Sequence, residues 1–152
     1  MGNFQHLAQF LAVFCCSFFS GAAVYINVVE HPARMECGTV TAVAEFAPSY
    51  KRATIMQASL AALSFIAAVL AWWAGSGGWW LLGGILQGSV IPFTLLFIMP
   101  TNKELLDPSL DKGSARADQL LLQWGRLHAV RSALGTTALL IFLSCLVAAQ
   151  KT

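Results

Sequence analysis

Eight of the nine lysines and arginines in this chain fall on one side of any membrane that it crosses four times. Arg34, Lys51, Arg52, Lys103, Lys112, Arg116 and Arg126 occupy the segments joining the first span to the second and the third to the fourth, and Arg131 lies at the start of the fourth span on the same face. All seven acids lie there too, and only Lys151 lies opposite. Four apolar stretches impose this reading, at about residues 7–29, 53–74, 79–99 and 128–149. Each is close to the ~20 residues that cross ~30 Å of hydrocarbon. An even number of spans puts both termini on one face. The bias of Lys and Arg toward the cytoplasm then predicts cytoplasmic connecting segments and extracytoplasmic termini in a multi-pass protein of a bacterial inner membrane.

Composition agrees. The 152 residues, one domain by length, are 57% hydrophobic and 11% charged, against about 25% charged in soluble domains. So few charges cannot coat a soluble globule. A net charge of +2, with bases interleaved among acids, gives no stripe for tracking phosphates, so no nucleic-acid partner is expected. The first apolar stretch has no Lys or Arg before it and exceeds the roughly 7–15 residues of a signal-peptide core, so it reads as a retained span. The predicted fold is an all-α integral membrane four-helix bundle. Its partners are the lipid bilayer and a small apolar molecule, and homo-oligomerisation is left open.

Between Ala53 and Asn102 no side chain is ionisable. Two crossings fit there, joined by the Gly75-Ser76-Gly77-Gly78 turn and flanked by Trp72, Trp73, Trp79 and Trp80 as headgroup-level anchors. Gly21, Ala22, Ala23, Gly83, Gly84 and Gly88 are expected to permit close helix contact. Pro92 should kink the third span and Pro100 end it. Segments 30–52 and 100–127 read as connecting loops. Within the second, residues 114–124 can be helical, lying on the membrane surface or extending the fourth span. Cys15, Cys16, Cys37 and Cys145 show no CxxC spacing and read as small core-facing thiols.

Polar residues at the crowded face carry the candidate chemistry. Asn27, Glu30, His31 and Arg34 follow the i, i+3, i+4, i+7 pattern of one helical face, with Pro32 straining the assumption that the helix continues. Trp124, His128 and Arg131 follow the i, i+4, i+7 pattern at the start of the fourth span. The two stripes lie at the same depth and can face each other. A charge turned into a bundle costs several kcal/mol unless paired, and Glu30 with Arg34 or Arg131 supplies a pair. Two histidines at one level suit proton transfer, or ligation of a metal or haem iron. Tyr50 and Asn102 lie at the same face, where capping a helix or meeting water is the plainer role. No nucleophile elbow, phosphate loop, HExxH or dinucleotide fingerprint occurs.

Taken in order, these motifs resemble a known family. Tyr25-x-Asn27-x-x-Glu30-His31-Pro32-x-Arg34 ends the first span, and Tyr50-x-Arg52 opens the second. Pro92-Phe93-Thr94 and Pro100-x-Asn102-x-x-Leu105 close the third, and Trp124-x-x-x-His128-x-x-Arg131 opens the fourth. The set resembles the anthrone-oxygenase-like family of small four-span membrane proteins over nearly the whole chain. The resemblance implies oxidation of a flat polyketide anthrone by molecular oxygen without a tightly held cofactor. On that reading His31 or His128 is the base, with Glu30 and Arg131 beside them. Arg131, Arg34, Tyr50 and Asn102 stabilise the oxyanion, Trp124 stacks on the rings, and Asn27 and Arg52 complete the substrate contacts. The other class is a non-catalytic membrane module that uses the same polar face to bind a small ligand, a partner protein, haem, or a metal ion held by His31 and His128.

Overall fold

The computed structural model describes residues 2–149, and Lys151, the lone base at the sparse end, lies outside the described residues. The described chain is helical almost throughout, with no strand. Four helices are long and apolar enough to cross a membrane: α1 (Gly2–Glu36), α2 (Thr39–Ser76), α3 (Gly78–Leu105) and α4 (Ala115–Ala149). Each packs on its chain neighbours and α1 closes on α4, so the bundle is a ring. Phe10, Phe14, Phe18, Leu63, Ile66, Trp73, Trp79 and Leu96 are exposed on its outside, as contact with lipid requires.

The connections are shorter than the sequence suggests. Residues 30–52 are not a loop. α1 continues to Glu36, α2 begins at Thr39, and Gly38 makes the turn at φ 85°. Gly77 makes the corresponding turn between α2 and α3 at φ 90°, a conformation that only glycine adopts without strain. Residues 115–127 extend the fourth span within one helix. Loss of hydropathy marks where hydrocarbon ends, whereas a helix satisfies its own backbone in water as well as in lipid. At 1.5 Å per residue the 38 residues of α2 span about 57 Å, well beyond ~30 Å of hydrocarbon. The excess lies at the charged end. There Ala42, Val43, Phe46, Leu105, Ala117, Leu120, Leu121 and Trp124 form a core of their own.

The stripe on α1, and Asn102 on α3, depend on how those helices pass their prolines. α1 widens into a π-helical turn at Ile26–Glu30, where the His31 amide bonds Ile26 O. α3 does the same at Thr94–Ile98, where the Met99 amide bonds Thr94 O. Each widened turn ends two residues before a proline, Pro32 or Pro100. A proline ring clashes with the carbonyl four residues back and offers no amide hydrogen. Adding a residue to the preceding turn relieves both problems without ending the helix, and such turns recur at functional sites. Pro100 accordingly does not end α3, which runs on to Leu105.

At the opposite end, Trp72, Trp73 and Trp79 are exposed as expected of anchors. Trp80 is not an anchor: it is buried and stacks on Phe142 at 5.2 Å between ring centroids. Cys15 and Cys16 are buried, whereas Cys37 is exposed in the α1–α2 turn.

Candidate active site

The two sequence stripes meet. Asn27, within the widened turn of α1, reaches α4 with both ends of its amide. Its Nδ2 donates to Gly125 O at 3.2 Å, and its Oδ1 lies 2.8 Å from His128 Nδ1. With Nδ2 committed to a carbonyl, Oδ1 can only accept. His128 Nδ1 must therefore carry the proton, which leaves Nε2 as the basic nitrogen. Ser132 Oγ also contacts Asn27 Oδ1 and lies 3.1 Å from both Ala23 O and His128 O. The imidazole, 1% exposed, thus has a fixed tautomer and a fixed plane.

His128 lines a cavity of about 120 Å³, within about 820 Å³ of free space once its mouth is counted. The lining surface is mainly apolar, from residues including Ile26, Phe46, Ala61, Val90 and Ile98, with polar side chains such as Gln57, Asn102, His128 and Arg131 set into it. That composition is usual for a pocket that holds a small organic ligand. The exposed lining residues, Thr54, Ala58 and Leu95, belong to α2 and α3. The mouth therefore opens sideways between those helices, at the level of their apolar surface.

Trp124 contributes to the wall and organises the aromatic side chains behind it. It stacks on His128 at 4.7 Å, meets Phe46 edge-on at 5.4 Å and contacts the His31 ring at 5.3 Å. The Arg34 guanidinium lies 5.8 Å from its ring centroid. Arg34, on α1, is buried and bound by acids on two helices. It pairs with Glu30 of α1, and its Nε lies 2.8 Å from Glu45 Oε2 of α2, an ion pair by distance whose angles do not suit a hydrogen bond. Ser49 Oγ donates to Glu30 Oε1 at 3.0 Å. Glu30 is therefore held by Arg34 and not by Arg131. Arg131 instead donates through Nη2 to Gln57 Oε1 at 2.7 Å. Asn102, 1% exposed, lines the cavity, and among the described residues neither end of its amide has a partner.

Glu30, Arg34, Tyr50, Asn102, Trp124, His128 and Arg131 are thus brought together around one cavity. His31 is not among the lining residues. It sits behind the wall, packed against Gly125 so closely that a Cβ there would meet its Nε2 at 2.5 Å. Asn27 acts on the cavity only through His128. Arg52 turns away: it is exposed and donates to Pro48 O of its own helix at 3.1 Å. The phase of α2 places Tyr50 and Gln57 inward and Arg52 outward. As for a metal, among the described residues no three His, Cys, Asp or Glu side chains converge in a way that could hold one, so His31 and His128 gain no third donor.

Comparison with known proteins identifies relatives of the chain. The family model described as anthrone oxygenase matches residues 46–141, more than half of the chain. The chain belongs to the anthrone oxygenase family. Anthrone oxygenase tpcL of Aspergillus fumigatus is 29% identical to it over 136 residues, covering 83% of this chain and 84% of the relative. No solved structure matches. The residues matched by the anthrone oxygenase model include Tyr50, Gln57, Asn102, Trp124, His128 and Arg131, and so most of the cavity wall.

Gln57 and Ser49 escaped the sequence reading. Ser49 carries no signal at the end of an apolar span. Gln57 does carry one, a polar amide within hydrocarbon. Such a group is costly unless it is satisfied by protein or ligand.

Proposed function

We propose that this protein is a membrane-embedded oxygenase acting on a flat, apolar anthrone-type substrate, with its pocket near the cytoplasmic face. The observation that carries this reading is His128. Its protonated nitrogen is fixed by Asn27, and it lines an apolar cavity with its basic nitrogen free. An anthrone has a benzylic CH₂ between two arenes, para to the carbonyl, and its anion is stabilised as an aryloxide. His128 Nε2 removes one benzylic proton. The carbanion passes one electron to O₂, and the resulting radical and superoxide combine in a C–O bond. The imidazolium returns its proton to the peroxide, giving a neutral hydroperoxide. Loss of the second benzylic hydrogen with cleavage of the O–O bond releases water and leaves a quinone. One anthrone and one O₂ thus give one anthraquinone and one water. The protein supplies a base, an electrostatic partner for the oxyanion and exclusion of bulk water. No step needs a metal or haem. The lateral mouth between α2 and α3 suits a substrate dissolved in the bilayer.

The test is oxygen uptake by purified protein in nanodiscs supplied with an anthrone, alongside elemental analysis and a visible spectrum. The expected result is one O₂ consumed per anthrone by a colourless, metal-free protein, with one atom of ¹⁸O₂ retained in the quinone. His128→Ala should lower the rate by roughly 10²–10⁴-fold while the protein still folds. Full activity in both His128→Ala and His31→Ala would end the proposal. A Soret band or stoichiometric metal would point instead to the binding module.

A further inference from the structure

Arg131 is a half-buried cation without an anion. Its guanidinium donates to a neutral amide, Gln57, and lies 5.1 Å from the Phe19 ring. Among the described residues it makes no ion pair, and its Nε has no hydrogen-bond partner. Gln57 is 1% exposed. Its carbonyl oxygen is taken by Arg131, and among the described residues its Nε2 also lacks a partner. Both residues line the cavity. Arg34 shows the contrast, being held by Glu30 and Glu45.

The ionisable groups around the cavity are Glu30 and Arg34 from α1, Tyr50 from α2, and His128 and Arg131 from α4, with none from α3. Glu30 is engaged by Arg34 and Ser49. His128 is engaged through Nδ1 by Asn27, and Tyr50 directs its hydroxyl toward Met99 Sδ at 3.7 Å. Nothing on the four helices therefore neutralises Arg131. Removing such a charge from water is costly unless a partner answers it. The two unpartnered groups, Arg131 Nε and Gln57 Nε2, are both donors. A hydrocarbon or an ether oxygen leaves the positive charge uncompensated, whereas an oxyanion meets the charge and the donors together. The apolar remainder of the wall excludes a bare inorganic anion as the best fit, because it needs an arene to cover it.

We infer that Gln57 and Arg131 form an oxyanion site that takes the ionised oxygen of a phenol or enol, so that the cavity selects the anionic form of a flat, weakly acidic arene. This deepens the proposed function and rests on it for the arene. It adds that the anion is favoured on binding, before oxygen reacts. Gln57 is then a binding residue, and Asn102, with a free donor and a free acceptor, is left for a neutral hydroxyl.

The experiment uses a monohydroxyanthraquinone, whose phenolate absorbs at longer wavelength than the phenol, titrated with pH in zwitterionic nanodiscs. With the wild-type protein the dye's apparent acid dissociation constant should rise at least tenfold over empty nanodiscs. Gln57→Glu places a carboxylate beside Arg131 and supplies an internal counter-ion. It should abolish the rise while leaving thermal stability equal or higher. Gln57→Leu, which removes a donor and adds no charge, should reduce the rise. The inference is overturned if dye bound to wild type titrates as it does in empty nanodiscs, or if Gln57→Glu favours phenolate as strongly as wild type. The readout needs no turnover. A dye shift without anthrone oxidation would remove the reaction and keep the site, and the reverse would keep the reaction and remove the site.

Discussion

At the scale of single residues, the site is governed by which hydrogen-bonding groups are already engaged. Asn27 is the clearest case. Both ends of its amide are engaged, and that engagement decides which nitrogen of His128 is basic. Asn27→Leu would leave His128 Nδ1 and Gly125 O buried without their partner. The expected cost is about 1–3 kcal/mol per stranded group, read as a lower melting temperature in detergent. The catalytic consequence should exceed the structural one, because an unrestrained imidazole populates both tautomers and rotates. Steady-state kinetics at a temperature where the variant is fully folded should show kcat falling with little change in KM. Asn27→Asp should behave differently, since a carboxylate still accepts from Nδ1–H and holds the tautomer. If Asn27→Leu keeps the wild-type kcat, the tautomer argument fails.

At the scale of elements, glycines decide how closely the helices approach, and their spacing in the sequence does not say which ones matter. A Cβ on Gly83 would meet the Phe142 ring at 2.5 Å, one on Gly135 the Phe19 ring at 2.6 Å, and one on Gly88 the Phe65 ring at 2.9 Å. Gly84 faces the Ala68 Cβ at 2.9 Å, while a Cβ on Gly21 meets nothing within 4 Å. Gly83, Gly84 and Gly88 therefore pack as expected from their sequence pattern, and Gly21 does not. Gly135→Ala should destabilise the bundle by about 1–3 kcal/mol through overpacking. It should also disturb Arg131, whose guanidinium lies over the same Phe19 ring. Gly21→Ala should be neutral, or stabilise by up to about 1 kcal/mol through helix propensity. Thermal unfolding of the two variants in one detergent checks the contrast, and equal melting temperatures would show that the α1–α4 contact adjusts freely.

At the scale of the whole molecule, length and charge act together. The helices exceed the bilayer, and their excess is at the end that carries the ionisable groups. The cavity sits where apolar lipid-facing surface gives way to that charged extension, with its mouth on the apolar side. Orientation follows from the Lys and Arg imbalance, which predicts that the charged end is cytoplasmic and that residue 152 is extracytoplasmic. A tag at residue 152 should be cut by protease added to spheroplasts and protected in inverted vesicles. Protection in spheroplasts with cleavage in inverted vesicles would show the reverse orientation.

The sequence alone determined the number of spans, the all-helical class and the end at which polar chemistry gathers. Each follows from the free energy of transferring short stretches into hydrocarbon, a local quantity that sums residue by residue. It also determined that Asn27, Glu30 and Arg34 share a face, and likewise Trp124, His128 and Arg131, because helical spacing is local too. Tertiary structure decided the rest. It placed Tyr50 at the cavity and Arg52 in the open, Trp80 in the core and Trp79 outside, and His31 behind the wall that His128 lines. It also matched Arg131 with Gln57 and gave Glu30 to Arg34. These outcomes depend on the rotation of each helix about its axis, which one residue changes by about 100° and which the widened turns before Pro32 and Pro100 reset. That rotation is fixed by contacts between helices far apart in the chain, so no stretch of sequence contains it.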